Sequence, residues 1–255
     1  MQLKTDIAAA ALHPDVAALT FVALGRDDLV NLILQRSEVL YDVPRAGQVI
    51  RAWNAGEMGP ILAEVERLGD EIARRAAAVI HAEYLAMQPL LAGLKPRRIA
   101  DIGCGYGLFD LFAARDLGAD VLLIDLESNT RRHFGFAEAG AACSSLSVAR
   151  ALLEENGVAP QAITTLNPAE SDPAGAGAVD LAVSFLSCGF HYPVDGYLEY
   201  FARAVAPGGH VLLDLREANA APQLEALTRL GTVEDLPAPP KARRVLLRKS
   251  DGGRA

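Results

Sequence analysis

The stretch Asp101-Ile102-Gly103-Cys104-Gly105-Tyr106-Gly107 has the residue types to cradle a small polar ligand. It stands where a short apolar run, Arg98 to Ile102, gives way to an apolar helical pattern ending near Gly118. Glycines at such a turn let the backbone approach a ligand closely and take torsions that a side chain would obstruct. Asp101 narrows the ligand. A carboxylate at the strand end can pair with an amino-acid ammonium or accept from a ribose hydroxyl, but it would repel a pyrophosphate at the same turn. Asp125 ends the next apolar run, 125 − 103 = 22 residues after Gly103, about where a Rossmann-like unit sets a carboxylate on ribose hydroxyls. Either carboxylate alone also reads as a strand-end cap. With the glycine turn between them they read as a ligand site, with Cys104 as turn packing.

A second group lies in Ser187-Cys188-Gly189-Phe190-His191-Tyr192-Pro193, after an apolar run from Val179 to Phe185. Open α/β folds bind ligands at this edge of the sheet. There His191, titrating near neutral pH, could take a proton from an attacking hydroxyl or amine, with Phe190 and Tyr192 walling the pocket. A packing histidine is the alternative. The run Arg131-Arg132-His133-Phe134-Gly135-Phe136 falls in an irregular connection between Leu126 and Ser144 that reads as a lid or as a solvated loop, with His133 as its candidate substrate contact. A metal site would need oxygen ligands from the ends of the fourth and fifth apolar runs; only Asp214 offers one, so no metal is expected. His13, His81 and His210 have no ligand set beside them in sequence, Cys188 reads as a buried thiol, and Trp53 as a core or interface anchor.

The elements that must position these residues follow from apolar periodicity. From Pro14 to Leu94 the spacing is helical, clearest at Ile61, Val65, Leu68, Ile72, Ala76 and Val79. An earlier helix is expected from Asp27 and Asp28 to about Tyr41, stopped by Pro44, and Pro89 should end or kink the long helix. Strands are expected at 98–102, 120–124, 162–166, 179–185, 210–215 and 244–248, with helices at 146–155 and 194–205 between them. Alternation of this kind predicts an α/β fold, a doubly wound and mainly parallel sheet, preceded by an all-helical segment. The division expected is a helical cap or substrate-binding segment over 1–94 and a catalytic domain over 95–255.

Composition limits the partners. The 255 residues carry a formal charge of −8, which disfavours a general grip on nucleic-acid phosphates and favours a small-molecule substrate. The pairs Arg97-Arg98, Arg131-Arg132 and Arg243-Arg244 read as solvated element ends. Three dispersed cysteines fit a reducing compartment rather than a disulfide framework or zinc site. No stretch approaches the roughly 18 uncharged apolar residues of a membrane span, so a cytoplasmic chain is expected.

From Lys95 to Lys249 the sequence resembles the class I S-adenosylmethionine-dependent methyltransferases, through the 101–107 turn, Asp125 and Ala202-Arg203-Ala204-Val205-Ala206-Pro207-Gly208-Gly209. The resemblance implies a Rossmann-like domain. Its S-adenosylmethionine would lie on Asp101, Gly103, Cys104, Gly105, Gly107, Asp125 and Leu126, and S-adenosylhomocysteine would leave as product. It implies Asp125 on the ribose, and Asn167 near the adenine amino group unless Asn167 is an ordinary turn residue. The expected activity is metal-independent methyl transfer to a small polar, sugar-like hydroxyl acceptor. The amino-terminal helices would serve as substrate attachment or as the face of a homo-oligomer. Two rivals stand beside it. A nicotinamide-dependent oxidoreductase shares the turn, but its fingerprint asks for glycine or alanine where Leu108 stands. A silent methyltransferase-like subunit that binds a protein partner would also keep the fold.

Overall fold

A computed structural model of the chain describes residues 6–127 and 144–251. The amino-terminal part is helical, as its periodicity predicts: α1 (Ile7–Ala11), α2 (Pro14–Ala17), α3 (Arg26–Gln35), α4 (Ala46–Asn54), α5 (Gly59–Leu68) and α6 (Glu71–Leu94). Asp27 and Asp28 lie in the first turn of α3, and the Gly25 N–H donates to Asp28 Oδ2 at 2.8 Å. This helix ends at Gln35, short of Tyr41. Arg36 leaves helical torsions and binds Glu83 of α6 through two hydrogen bonds of 2.8 and 2.7 Å, and a 3-10 turn, Ser37–Leu40, follows.

The apolar face through Ile61 and Val79 belongs to two helices, not one. Gly69, at φ 52, ends α5, and Ile72 resumes the same buried face on α6. Pro89 neither ends nor bounds α6, which continues to Leu94. A proline in a helix deprives the carbonyl four residues earlier of its partner. Leu85, where that carbonyl sits, is on the exposed side of the helix.

The rest alternates strand and helix: β1 (Arg98–Ile102), α7 (Leu108–Leu117), β2 (Asp120–Ile124), α8 (Leu146–Glu155), β3 (Ile163–Leu166), β4 (Val179–Ser184), α9 (Leu198–Ala204), β5 (Val205–Arg216), α10 (Ala220–Thr228), β6 (Gly231–Leu236) and β7 (Ala242–Lys249). The expected helix at 194–205 is a 3-10 turn followed by the short α9, and β5 begins earlier than expected, at Val205. The strand order is β3-β2-β1-β4-β5-β7-β6, parallel from β3 to β5 and antiparallel at β7 and β6. Sequence reading missed β6, whose Thr232, Glu234 and Asp235 are exposed as on an edge strand, leaving little apolar signal.

Alternate residues of each strand serve opposite layers. Ile99, Val121, Leu123, Leu181 and Val183 join one core with α7, α8 and the amino-terminal helices; Ala100, Ile102, Leu122, Ile124, Ala182 and Leu213 join the other with α9 and α10. Trp53 is fully buried in the first. The chain therefore leaves β1 toward one face and β4 toward the other, which makes their carboxyl ends the switch point of the sheet, the place where open α/β folds bind ligands.

Arg244 is no solvated element end. It lies opposite Asp214 in the β5–β7 register, and its Nε and Nη2 donate to Asp214 Oδ1 and Oδ2 at 2.7 and 2.8 Å, with both side chains buried. Removing one partner of such a pair leaves a buried charge uncompensated. Asp214→Ala should therefore lower stability by about 3–5 kcal/mol, whereas replacing both residues by apolar ones of similar volume should recover most of it. Denaturant unfolding of the single and double variants measures the difference.

Candidate active site

The turn after β1 sits at that switch point. Gly103 and Gly105 have φ of 78° and 59°, in the left-handed region that side chains rarely adopt. A β-carbon at Gly103 would overlap the Ser187 hydroxyl, one at Gly105 would come 3.3 Å from Gln35 Oε1, and one at Gly107 would press Leu153 Cδ1 at 3.0 Å. The first two glycines thus leave bare backbone facing polar side chains, while the third lets α7 pack on the core.

Asp125 holds the turn from β2. Its Oδ2 accepts from the Gly105 N–H at 2.8 Å and its Oδ1 from the Leu126 N–H at 2.7 Å. Burial raises its pKa, and these backbone donors oppose the rise. Each oxygen retains acceptor capacity for a further hydroxyl.

Asp101 points to the layer of α7, whose first turn brings Asp110 to it. Neither Asp110 oxygen nor Asp101 Oδ1, all buried, receives a hydrogen bond from an N–H or hydroxyl. The hydrogen bond open to them is from one carboxyl to the other. Burial, then the charge of Asp101, pushes Asp110 well up, so it keeps its proton and donates it to Asp101. Burial also raises Asp101, to about 7, against the lowering effect of that hydrogen bond and with a further rise from Asp125. The same burial and the three carboxyls hold the Cys104 thiol protonated, so it is chemically inert.

The amino-terminal helices reach the turn directly. Tyr106 Oη donates to Asp28 Oδ1 at 2.8 Å and accepts from Asn31 Nδ2 at 3.0 Å, both on α3, and Gln35 closes that helix over Gly105. On the other side, Ser184 Oγ donates to the Ile102 carbonyl at 2.6 Å and accepts from the Cys188 N–H at 2.9 Å, fastening the β4 loop to the end of β1. Leu186 there has φ 55, a strained torsion for leucine of the kind that collects at functional sites. Ser187 and Tyr192 hydroxyls lie 3.3 Å apart beside Gly103.

The methyltransferase domain family matches residues 66–242, which is 242 − 65 = 177 of the 255 residues. The chain belongs to the class I S-adenosylmethionine-dependent methyltransferases. No curated protein matches it. Among solved structures it is similar to a methyltransferase from Pyrococcus furiosus (17% identity, 66% of this chain and 83% of that one, TM-score 0.48). It is similar also to an O-methyltransferase family protein from Burkholderia thailandensis (15%, 88% and 73%, TM-score 0.48). A third is an O-methyltransferase from Streptomyces achromogenes involved in tomaymycin synthesis, in complex with SAM (16%, 67% and 80%, TM-score 0.48).

In this methyltransferase the fold brings Asp101, Gly103, Cys104, Gly105, Gly107 and Asp125 to one turn, with Leu126 exposed beside them. Asn167 follows β3, but its side chain serves its own turn, accepting from the Ala169 N–H and donating to Glu170, each at 3.1 Å. Next to it a cleft of about 330 Å³ is lined by Pro168, Asp172, Tyr197 and Tyr200. His133 lies outside the described residues. His191 is exposed, edge-on to Phe190 at 5.5 Å, and its backbone N–H donates to the Ser187 carbonyl. Partial burial first, and the Arg216 cation second, lower its pKa, so the imidazole is neutral at pH 7. Phe190 is stacked under Arg216, 4.4 Å from the guanidinium to the ring centre. Sequence reading missed Gln35, Asp110, Ser187 and Tyr197; of these only Ser187 lay within a stretch that it marked.

The carboxyl pair has a pH signature. Folded-state pKa values above the unfolded ones mean that the native protein binds extra protons from about pH 4 upward, so its stability falls as pH rises through about 7. Asp110→Asn can still donate to Asp101 but carries no proton to lose on unfolding. It should be more stable than the wild type at pH 8, equal near pH 4, and show a flatter stability profile between them in denaturant unfolding. An equal loss of stability at both pH values would exclude the shared proton.

Proposed function

We propose that the protein transfers the methyl group of S-adenosylmethionine to a hydroxyl of a small polar, sugar-like metabolite, without a metal. The observation that carries this reading is a bare glycine turn that Asp125 braces, with the carboxyl pair Asp101 and Asp110 buried against it and served by no N–H or hydroxyl of the protein at Asp101 Oδ1. That set suits a ligand with an ammonium and a ribose diol: Asp101 for the ammonium, Asp125 for the diol, and the 103–107 backbone beneath. Leu126 would border the adenine. Bound there, the cofactor would supply an electrophilic methyl on a sulfonium. The residues of the chain would hold acceptor and cofactor in line, which is the main source of rate in such a displacement.

Residues 1–94 would act as the cap over this turn, a reading supported by Gln35 and by the Asp28–Tyr106–Asn31 chain. Tyr192 and Phe190 would border the acceptor. His191, neutral at pH 7, would take the hydroxyl proton on a ring nitrogen. Metal-free transfer is supported by Asp214, whose two oxygens are both given to Arg244.

Calorimetric titration with S-adenosylmethionine, and formation of S-adenosylhomocysteine in the presence of sugar-like acceptors, test the reading; no binding by folded protein would overturn it. Asp125→Ala should weaken binding by roughly 1.5–3 kcal/mol, the value of hydrogen bonds to a charged group, without unfolding the protein. His191→Asn should bind the cofactor normally and turn over roughly 10²–10⁴-fold more slowly, with loss of an acid-side limb, below the ordinary imidazole range, in the pH profile of kcat/KM. Wild-type turnover with an unchanged profile would leave His191 a structural residue.

A further inference from the structure

His13 and His81 are 81 − 13 = 68 positions apart, and folding sets their rings 4.5 Å apart between centroids, one at the start of α2 and the other on α6. Asp15 comes between them. Its Oδ2 lies 3.5 Å from His13 Nδ1 and 3.8 Å from His81 Nε2, and the three ligand atoms all fall within 4.8 Å of one another. A tetrahedral ion with bonds of about 2.1 Å holds its ligand atoms about 3.4 Å apart, so small side-chain rotations bring this group to binding distance.

We propose that His13, Asp15 and His81 form a site for a divalent transition-metal ion of the zinc class, tying α2 to α6, with a fourth position open to water. The donor set selects the ion: two imidazoles and one carboxylate suit zinc, whereas calcium and magnesium ask for oxygen ligands throughout. The site is also partly built before any ion arrives. Pro14 fixes the backbone between His13 and Asp15 at the first helical position. His81 is buried, with Phe112 at 4.6 Å and Tyr84 at 6.5 Å between ring centroids, so one side of the site is apolar and rigid. His13 and Asp15 are exposed and give access from solvent.

Burial, then His13, lowers the pKa of His81, while Asp15 and Asp116 act in the opposite sense and Arg115 adds to the lowering. Of the two outer charges, Asp116 on α7 favours a cation at the site and Arg115 opposes it. One existing contact must yield: His13 Nδ1 accepts a long 3.3 Å hydrogen bond from the Asp15 N–H.

The test uses the full chain, without an affinity tag and stripped with a chelator, titrated with zinc chloride by calorimetry. One equivalent should bind and raise Tm, since an ion that binds only the folded state stabilises it. Cobalt(II) should give the visible absorption of a four-coordinate nitrogen and oxygen site. Because His81→Ala also empties a buried position and so puts folding itself at risk, the exposed His13→Ala and Asp15→Asn carry the decision. Each should weaken zinc binding by more than the roughly 10–100-fold that loss of even an outer-shell partner costs. Absence of stoichiometric binding by the wild type, or wild-type affinity in both exposed variants, would overturn the proposal.

Discussion

Burying a carboxylate costs free energy that only a donor, a proton or a cation recovers. Around the turn after β1 two carboxyls, Asp101 and Asp110, are buried and a third, Asp125, is half-buried, and each recovers that cost differently. Asp125 takes two backbone N–H donors, and by doing so it fixes the turn to the end of β2. Asp110 keeps a proton and offers it to Asp101. Asp101 accepts that proton, and no N–H or hydroxyl reaches its Oδ1. The glycines are part of the same solution, since Asp125 can reach the Gly105 amide only where the backbone turns with positive φ.

The helices before β1 are tied to this arrangement by specific contacts. Tyr106 stands inside the glycine turn, and its hydroxyl bonds two residues of α3. Arg36 fixes the end of α3 to α6 through Glu83, which leaves Gln35 over Gly105. A displacement of α3 would therefore be felt at the turn as a change in polar contacts. The amino-terminal helices and the turn share one buried core.

The parts legible in sequence are those whose signal is local. The run from Arg98 to Asp125 contains its own strand, turn, helix and strand, so β1, α7 and β2 and the residues of the turn could be read directly. Elements fixed by distant partners could not. The end of α3 depends on Glu83, 47 positions beyond Arg36. The buried state of Arg244 depends on Asp214, and β6 is an edge strand with too few apolar residues to announce itself. In the site the same division holds. Asp101 and Asp125 are marked by strand ends. Asp110 looks like any acidic residue in a first helical turn until Asp101 is seen beside it, and Gln35 reaches Gly105 across 105 − 35 = 70 positions. The grouping of His13, Asp15 and His81 exists only in three dimensions.

The antiparallel end of the sheet has a further consequence. A sheet that stops on an open strand offers its free backbone groups to any other extended chain, and proteins counter this with charge at the rim. Here the outermost strand is β6, with Glu234 and Asp235 exposed on it and Arg243 of β7 drawn to Asp235 by hydrogen bonds of 2.6 and 2.8 Å. Two copies approaching rim to rim would bring carboxylates against carboxylates. The polar composition that hides β6 from sequence reading thus also guards the protein against self-templated β-aggregation.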